Sequence, residues 1–307
     1  MSRRVTVLMG GASAEREVSL RSGQAAARAL EEAGYAVAVL DVGRDPATLA
    51  AAVAASRPDV VFNALHGRFG EDGCVQGVLN LMGIPYTHSG LLASAAAMDK
   101  AFARHLFRQA DIPVAEGLVA RRGQYVDAEP LARPYVVKPI NEGSSVGVHI
   151  LREGDNRAPL ADWPFQSDRV LVEEFVPGRE ITVAVMGDRA LGALEITSER
   201  GFYDYDAKYA PGGSRHIMPA PLPAEDYAEA CRLALAAHRV LGCRGVSRTD
   251  LRYDDTRPDR RPRLVVLEVN TQPGMTATSL VPEIAGHCGI SFPELVRWMV
   301  EQAECDA

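Results

Sequence analysis

The stretch VVKPINEGSSVGV, residues 136–148, combines an apolar strand, a lysine and a loop rich in glycine and serine. Its lysine, Lys138, comes before the glycines, whereas the P-loop pattern G-x-x-x-x-G-K-[ST] places the lysine after them. Two glycines let the loop backbone approach a ligand closely, and several N–H groups and hydroxyls can then surround one anion. The stretch predicts a phosphate site whose lysine lies on a strand; an ordinary polar hairpin is the alternative.

The composition is that of a globular protein with material for two or three domains. Of the 307 residues, 47% are hydrophobic and 24% are charged, and the net charge is −7. This charge argues against binding to nucleic acid or acidic membranes, and no apolar run reaches the roughly 18 residues of a membrane span. The five cysteines include no C-x-x-C pair. Zinc and disulfides are therefore not expected, and a cytoplasmic location is.

The first third of the chain alternates predicted strands with predicted helices. The strands are RRVTVLM, YAVAVLDV and DVVFNAL, and the helices between them are SLRSGQAAARALEEAG and TLAAAVAAS. Ser19 is the candidate N-cap of the first helix, and Gly34 is its stop. This alternation predicts a doubly wound parallel sheet, which binds ligands at the carboxyl ends of its strands. GGASAERE and HGRFGEDG lie at two of those ends.

The pattern changes near residue 98. After the amphipathic helix MDKAFARHLFRQA, strand follows strand, in PYVVKPI, VGVHIL, RVLVEEFV, EITVAVMG and RALGALEIT. Strands that follow one another directly favour antiparallel sheets. A helix, AEDYAEACRLALAAHRVLG, then precedes the last two strands, SRTDLRY and RLVVLEVN. We expect the charged segment DDTRPDRRP between those two strands to be an exposed hairpin tip.

The last two predicted strands carry polar side chains on one face. Glu268 and Asn270 are two residues apart, and so are Arg248 and Asp250, so each pair projects from one side of its strand. Polar groups in an apolar strand cost free energy unless they are paired. Mg²⁺ binds one or two carboxylates together with substrate phosphates. The pattern predicts a magnesium site; a salt bridge from Arg248 to a carboxylate is the alternative, and the two can coexist.

Three further segments have both a functional and a plain interpretation. In TQPGM, the Gly274 N–H can face a ligand oxygen, or the segment is a simple turn. VLVEEFVPGRE reads as a strand and hinge between domains, or as a solvated acidic edge. GFYDYDAKYAPGG, residues 201–213, reads as a mobile lid because long structureless loops are usually functional or disordered, or it is an ordinary surface loop.

Taken together, these motifs resemble the D-alanine–D-alanine ligases of the ATP-grasp superfamily. HGRFGEDG, MDK, KPINEGSSVGV, FYDYDAKY, SRTD and LEVNTQPGMTATSLVP occur in the order of that family and extend over essentially the whole chain. The resemblance implies an α/β and α+β fold in which two α+β domains clamp ATP. It implies an N-terminal doubly wound substrate domain at 1–98, a central ATP-grasp subdomain at 99–180 and a C-terminal ATP-grasp and catalytic domain at 181–307.

The resemblance also implies a reaction, the ATP-dependent ligation of two D-alanine molecules to D-alanyl-D-alanine for peptidoglycan precursor synthesis. ATP phosphorylates the carboxylate of the first D-alanine, and the amine of the second then displaces phosphate from the acyl phosphate. The family further implies two Mg²⁺ ions, with Mn²⁺ as an alternative, and a cytoplasmic homodimer.

The resemblance assigns one set of residues to the nucleotide and the metals. Lys100 and Lys138 would contact the phosphates, under the Gly-Ser loop that contains Ser145. Glu173 and the main chain of Glu174, Phe175 and Val176 would read the adenine edge, Phe175 and Phe202 would flank the base, and Glu180 would take the ribose hydroxyls. Asp250, Glu268 and Asn270 would hold the metals.

A second set is assigned to the two D-alanines. Glu15 would meet the first ammonium group, Ser144 and Tyr209 would link Glu15 to the lid, and His66 would lie near the substrates. Arg248 and the Gly274 N–H would stabilise the oxyanion of the tetrahedral intermediate. Lys208, Ser279 and the backbone of Leu280 would hold the second carboxylate.

One position and one segment depart from the family pattern. Arg252 stands where an apolar residue usually lines the adenine pocket, and the segment between Lys100 and Lys138 is shorter than in many relatives.

Three other functions are alternatives. One is that of another ATP-grasp ligase, such as an ester-forming one; Tyr209 argues against it and predicts dipeptide rather than ester as product. A non-catalytic nucleotide-binding regulator would have lost metal ligands, which this chain keeps. An NAD-dependent oxidoreductase would need the G-x-G-x-x-G pattern, which is absent.

Overall fold

The computed structural model describes residues 2–143, 147–156, 159–197, 214–256, 259, 262–276 and 278–306. Within these ranges the helices are α1 Arg16–Glu32, α2 Pro46–Ser56, α3 Cys74–Met82, α4 Leu91–Met98, α5 Lys100–Gln109, α6 Pro159–Asp162, α7 Ala224–Val240, α8 Leu280–His287 and α9 Phe292–Glu301. The strands are β1 Arg4–Gly10, β2 Ala36–Val42, β3 Val60–Asn63, β4 Gly117–Arg121, β5 Tyr135–Pro139, β6 His149–Leu151, β7 Arg169–Glu174, β8 Arg179–Met186, β9 Arg189–Thr197, β10 Arg215–Ile217, β11 Val246–Tyr253 and β12 Leu264–Asn270. No helix in these ranges is long and apolar enough to cross a membrane.

The N-terminal sheet is parallel, as the alternation of strands and helices predicted. Its order is β2-β1-β3, and β1 pairs in parallel with both neighbours. The segments that follow β1 and β3 therefore emerge at the same edge of the sheet. The GGASAERE and HGRFGEDG motifs lie next to each other there, since the Ser13 hydroxyl donates to the His66 carbonyl at 2.7 Å.

The predicted N-cap of the first helix was wrong. Helix α1 begins at Arg16 with Glu15 in the N-cap position, so Ser19 lies inside the helix. The buried Ser19 hydroxyl donates to the Ala64 carbonyl at 2.7 Å and accepts from the Gly10 N–H at 2.9 Å. Ser19 therefore joins the ends of β1 and β3 instead of capping a helix. The predicted stop was right, because α1 ends just before Gly34, which has φ 87°.

The other two sheets contain every strand predicted from the sequence, together with two that were not predicted, β4 and β10. The central sheet has the order β4-β7-β5-β6, and the C-terminal sheet has the order β10-β9-β8-β11-β12. All pairings in both sheets are antiparallel. Strands β5 and β6 flank the Gly-Ser loop, whose residues 144–146 lie outside the described ranges.

A β-bulge in β12 lies beside the predicted metal ligands. Asp250 of β11 pairs with Glu268, whereas the next residue, Leu251, pairs with Val266, so Leu267 is the extra residue. Bulges change the direction of the side chains around them and are frequent next to active sites. This bulge places Leu267 in the wall of the same cleft as Asp250 and Glu268.

The core beneath the N-terminal sheet is completed by the C-terminal helices. Leu30 of α1 and Phe62 of β3 belong to one buried cluster with Val281 of α8 and Leu295 of α9. Tyr86 also bridges β3 to the C-terminal residue Glu304. Residues from both ends of the chain therefore stabilise one sheet. The domain boundaries near residues 98 and 180 stay predictions.

Candidate active site

Two adjoining clefts contain most of the predicted functional residues. The first, the loop cleft, lies between the loops after β1 and β3 and the turn after β12, and its wall includes Glu15, His66, Glu71, Arg248, Asn270, Gly274, Ser279 and Leu280. The second, the sheet cleft, lies between the central and C-terminal sheets, and its wall includes Lys138, Glu173, Glu174, Phe175, Val176, Glu180, Asp250 and Arg252. Lys100, Glu142 and Glu268 line both clefts. The two clefts thus adjoin at these three residues.

The Glu15 carboxylate fills the space that two glycines leave open. A Cβ added to Gly67 would lie 2.8 Å from Glu15 Oε2, and one added to Gly143 would lie 3.0 Å from the same atom. Gly67 also has φ 67°, a conformation that disfavours other residues. The Glu15 carboxylate therefore lies between Gly67 and Gly143, the residue just before Ser144.

His66 is buried and neutral at neutral pH. Its Nε2 lies 3.2 Å from the Ser22 hydroxyl. Burial lowers the pKa of His66, and the nearby Glu15 carboxylate opposes that shift only in part. The loop cleft therefore gains an uncharged hydrogen-bonding ring here rather than a cation.

Glu71 is a buried acid that was not singled out from the sequence. Burial, with the Glu15 and Glu268 carboxylates adding to it, raises the pKa of Glu71 to about 8. A backbone hydrogen bond at Gly67 and the Arg248 charge oppose this shift. Within the part of the chain that the structure describes, Glu71 Oε2 is buried without a hydrogen-bond partner. Glu71 thus holds a proton at neutral pH, in the wall of the loop cleft.

We expect the free energy of unfolding to fall as pH rises, and Glu71→Gln to remove that dependence. A carboxyl with a folded pKa of about 8 stabilises the fold below its unfolded pKa of about 4.5, and this contribution is lost as pH rises through the folded value. The loss is on the order of a few kcal/mol. Urea unfolding at about pH 5 and about pH 9 measures it. The exposed Glu301→Gln is the control; equal pH dependence in both variants and the wild type would contradict the prediction.

The two predicted phosphate lysines face the clefts and are held by acceptors. Lys100 Nζ lies 3.1 Å from Glu268 Oε2 and donates to the Glu142 carbonyl at 2.7 Å. Lys138 Nζ is paired with Glu173. Both lysine side chains are buried. Each ammonium is therefore fixed at the cleft wall, where an anionic ligand can reach it.

A buried arginine, Arg104, is the second cationic partner of Glu173. Arg104 pairs with the other Glu173 oxygen and donates to the Ala115 carbonyl at 2.6 Å. The Arg104 and Glu173 side chains are only 4% and 3% exposed, so this ion pair is shielded from water. Removing Arg104 would leave one buried Glu173 oxygen without its donor, although Lys138 would still pair with the other oxygen.

Arg104→Met is expected to lower the free energy of unfolding by about 1–3 kcal/mol, because one buried Glu173 oxygen loses its donor while Lys138 still pairs with the other. Arg108→Met is the matched control on the same helix. The Arg108–Glu116 pair is exposed, at 44% and 82%, and a surface pair contributes about 0–1 kcal/mol. Urea unfolding of both variants measures the difference, and equal losses would contradict the burial argument.

Strands β11 and β12 bring the predicted metal and oxyanion residues together. Asp250 lies opposite Glu268 and Arg248 lies opposite Asn270. Arg248 donates to both Asp250 oxygens, at 2.8 and 2.7 Å, and the Thr182 hydroxyl donates to Asp250 Oδ1 at 2.7 Å. The salt bridge considered from the sequence is therefore present, on the same face as the predicted ligands.

The turn after β12 is fastened to the N-terminal sheet. The Asn63 side-chain amide donates to Gln272 Oε1 at 2.8 Å, and Gln272 Nε2 donates to the Leu65 carbonyl. A Cβ added to Gly274 would lie 2.9 Å from Ser279 Oγ. Gly274 thus packs on Ser279, the N-cap of α8, and this helix start offers backbone N–H groups to an anion.

Comparison with known proteins gives matches along the whole chain. Residues 43–89 match the family described as D-ala D-ala ligase N-terminus, and residues 106–301 match D-ala D-ala ligase C-terminus. The D-alanine–D-alanine ligase of Paramagnetospirillum magneticum is 74% identical over 306 residues, and that of Rhodospirillum rubrum is 61% identical over 309 residues. Both matches cover 100% of this chain and of the relative. The chain belongs to the D-alanine–D-alanine ligase family.

A solved structure of a D-alanine–D-alanine ligase gives the same result for the fold. The crystal structure of the Bacillus anthracis enzyme complexed with ATP matches with a TM-score of 0.82 at 30% sequence identity. The match covers 98% of this chain and 97% of that one. The family and the ATP-grasp fold expected from the sequence are both confirmed.

The two clefts contain every predicted ligase site residue that the structure describes. Five predicted residues lie outside the described ranges, namely Ser144, Ser145, Phe202, Lys208 and Tyr209. The lid predicted at 201–213 lies outside them as well. Their roles, like those of the described residues, stay predictions.

Sequence reasoning missed three residues that the clefts of this ligase depend on: Glu71, Arg104 and Gln272. Glu71 belongs to the quoted HGRFGEDG motif, from which only His66 was selected. Arg104 follows Lys100 by one helical turn and so shares its face of α5. That spacing was available in the sequence. Nothing in a local pattern predicts that Gln272 contacts Asn63.

Proposed function

We propose that this chain ligates two D-alanine molecules to D-alanyl-D-alanine through an acyl phosphate formed with ATP. The observation that carries the proposal is the wall of Lys100, Glu142 and Glu268 shared by the loop cleft and the sheet cleft. A nucleotide in the sheet cleft and an amino acid in the loop cleft would meet there. Holding two reactants in this way converts a bimolecular step into a nearly unimolecular one.

ATP fits the sheet cleft. The relative from Bacillus anthracis is described as complexed with ATP. In this chain, the cleft offers Lys100 and Lys138 to phosphates, Phe175 to a base and Glu180 to ribose hydroxyls. Because Lys100 stands in the shared wall, the phosphate end of the nucleotide would point toward the loop cleft.

The donor set at the shared wall suits Mg²⁺. Asp250 and Glu268 lie opposite each other, with Asn270 next along the same face, and all three offer hard oxygen ligands. In the described ranges no three His, Cys, Asp or Glu side chains group as a metal site, so the set depends on the Asn270 amide and on substrate phosphates. When bound, Mg²⁺ would neutralise charge on the transferring phosphoryl group.

The first D-alanine would bind with its ammonium group at Glu15 and its carboxylate toward the shared wall. One carboxylate oxygen attacks the terminal phosphorus of ATP, which forms the acyl phosphate and releases ADP. In the next step, negative charge develops on the carbonyl oxygen. Arg248 and the Gly274 N–H line the loop cleft and would stabilise that oxyanion.

The second D-alanine would bind at the start of α8. Ser279 and the backbone N–H of Leu280 are suited to its carboxylate, because a helix N-terminus favours an anion. The sequence adds Lys208 to this set. The neutral amine then attacks the acyl carbon and forms the C–N bond of the tetrahedral intermediate. The C–O bond to phosphate then breaks, phosphate leaves, and the nitrogen loses one proton to solvent. The buried His66 is neutral and places no additional cation in the cleft.

The experiment is phosphate release from ATP with D-alanine, L-alanine or D-lactate as substrate, with products identified by mass spectrometry. We expect release with D-alanine, D-alanyl-D-alanine as product and little release with L-alanine. With D-alanine and D-lactate both present at about pH 7.5, we expect mainly dipeptide. This pH is about one unit above the ordinary histidine pKa, so no imidazolium attracts the D-lactate anion. Mainly ester as product would overturn the dipeptide assignment. Nucleotide binding without phosphate release would favour a non-catalytic nucleotide-binding regulator. The homodimer and the cytoplasmic location stay predictions.

A further inference from the structure

Arg252 points into the sheet cleft from β11, on the face that also carries Arg248 and Asp250. Only 14% of its side chain is exposed. Burying a guanidinium costs free energy unless its N–H groups are satisfied. We therefore expect the Arg252 guanidinium to have specific acceptors in the cleft.

The three nitrogens of the Arg252 guanidinium reach one short segment, Val176–Glu180, which runs from the connection between β7 and β8 into the start of β8. Nε donates to the Val176 carbonyl at 3.1 Å, and Nη2 donates to the Gly178 carbonyl at 2.7 Å. Nη1 lies 3.6 Å from Glu180 Oε2, and the two residues are directly paired across β8 and β11. One planar group thus fixes two backbone carbonyls and one carboxylate.

The same segment is held from its other side by close backbone packing. A Cβ added to Gly178 would lie 2.1 Å from the Tyr253 carbonyl oxygen, and Gly178 has φ 91°. Val176 is buried with Ala115 and Val265. The segment is therefore packed onto the end of β11, and Arg252 holds its cleft side.

We propose that Arg252 is a positioning residue that sets the selectivity of the cleft for the nucleotide ribose. It holds the Val176–Glu180 segment in place and keeps the Glu180 carboxylate turned toward the cleft, where two adjacent ribose hydroxyls would donate to it. This inference rests on the proposed ATP site. A carboxylate that is already oriented loses less side-chain freedom when it binds, and so binds more tightly.

The test compares Arg252→Met and Arg252→Lys with the wild type, using ATP, 2′-deoxy-ATP and 3′-deoxy-ATP as substrates. For Arg252→Met we expect KM for ATP to rise about tenfold, the size expected from ordering one or two side chains, with a smaller change in kcat. The discriminating result is the deoxy penalty, which is the factor by which kcat/KM falls when 2′-deoxy-ATP or 3′-deoxy-ATP replaces ATP. The wild type should lose about tenfold or more in kcat/KM on either deoxynucleotide, and Arg252→Met less than about threefold. Arg252→Lys should recover part of this selectivity, because it restores a charge near Glu180 but not the fork.

Arg189→Met is the matched control, an exposed arginine on β9 of the same sheet. It should keep the wild-type KM and the wild-type deoxy penalty. If Arg252→Met raises KM but keeps the full deoxy penalty, Arg252 only stabilises the fold and the inference is overturned. Calorimetric titration with ADP and 2′-deoxy-ADP separates this inference from the proposed function. A wild type that binds ADP but does not ligate D-alanine would refute the proposed function, while the binding ratios would still decide the role of Arg252.

Discussion

Glu268→Gln is expected to lower kcat by about 10³-fold while the protein stays folded. The Glu268 carboxylate stands in the wall shared by both clefts, opposite Asp250 and 3.1 Å from the Lys100 ammonium. Glutamine keeps the size of the side chain but removes the charge that would hold a divalent cation. Stability should change little, because Lys100 keeps its bond to the Glu142 carbonyl and can still donate to the amide oxygen of the glutamine.

The measurement pairs steady-state kinetics over a range of Mg²⁺ concentrations with thermal melting. Glu301→Gln, on the exposed end of α9, is the control for a lost carboxylate and should retain full activity. A Glu268→Gln enzyme that melts like the wild type and keeps more than half of its activity at saturating Mg²⁺ would remove Glu268 from the metal site.

Arg248→Gln should lower kcat by about 10²- to 10³-fold, the usual cost of losing an oxyanion donor. Arg248 lines the loop cleft, and its two bonds to the Asp250 carboxylate fix the plane of the guanidinium. Glutamine removes the cationic fork, so charge that develops on the carbonyl oxygen would face the Gly274 N–H alone. The kcat of Arg248→Lys should lie between those of the wild type and Arg248→Gln, because lysine keeps the positive charge but lacks the planar guanidinium.

Thr182→Val separates oxyanion stabilisation from the positioning of Asp250. Thr182 is fully buried and donates to the same Asp250 oxygen as Arg248, but it does not line the loop cleft. We expect Thr182→Val to reduce kcat by less than about tenfold, as loss of one hydrogen bond would. Equal losses in Arg248→Gln and Thr182→Val would mean that Arg248 acts only by holding Asp250.

Strand and helix periodicity sufficed to predict most of the architecture. The alternating first third formed the parallel sheet β2-β1-β3, and the later run of strands formed two antiparallel sheets. These patterns are reliable because each reflects which face of a strand or helix is buried. Residue spacing also placed Glu268 and Asn270 on one face of β12, and Arg248 and Asp250 on one face of β11. The pairing of the two strands puts all four side chains on the same face of the sheet.

Helix ends and strand irregularities were less accessible to sequence reasoning. Ser19 had the chemistry of an N-cap, yet its hydroxyl bonds Gly10 and Ala64 across the sheet. The bulge at Leu267 has no proline or glycine to mark it. At Ser19 contacts with separate segments outweighed a local preference, and at Leu267 the local sequence carries no signal for the bulge.

What the sequence determined by itself was the family, the order of the elements and the side chains available for chemistry, because these depend on local spacing and on motifs. The tertiary structure decided which charges are balanced and which are buried. Lys138 and Arg104 both pair with Glu173, Gln272 bonds Asn63 and Leu65, and Arg252 bonds Val176 and Gly178 only when separate segments pack together. The elevated pKa of Glu71 likewise arises from burial beside Glu15 and Glu268. Desolvation and charge pairing depend on distances in space, and such distances between residues far apart in the chain are not written in any local pattern.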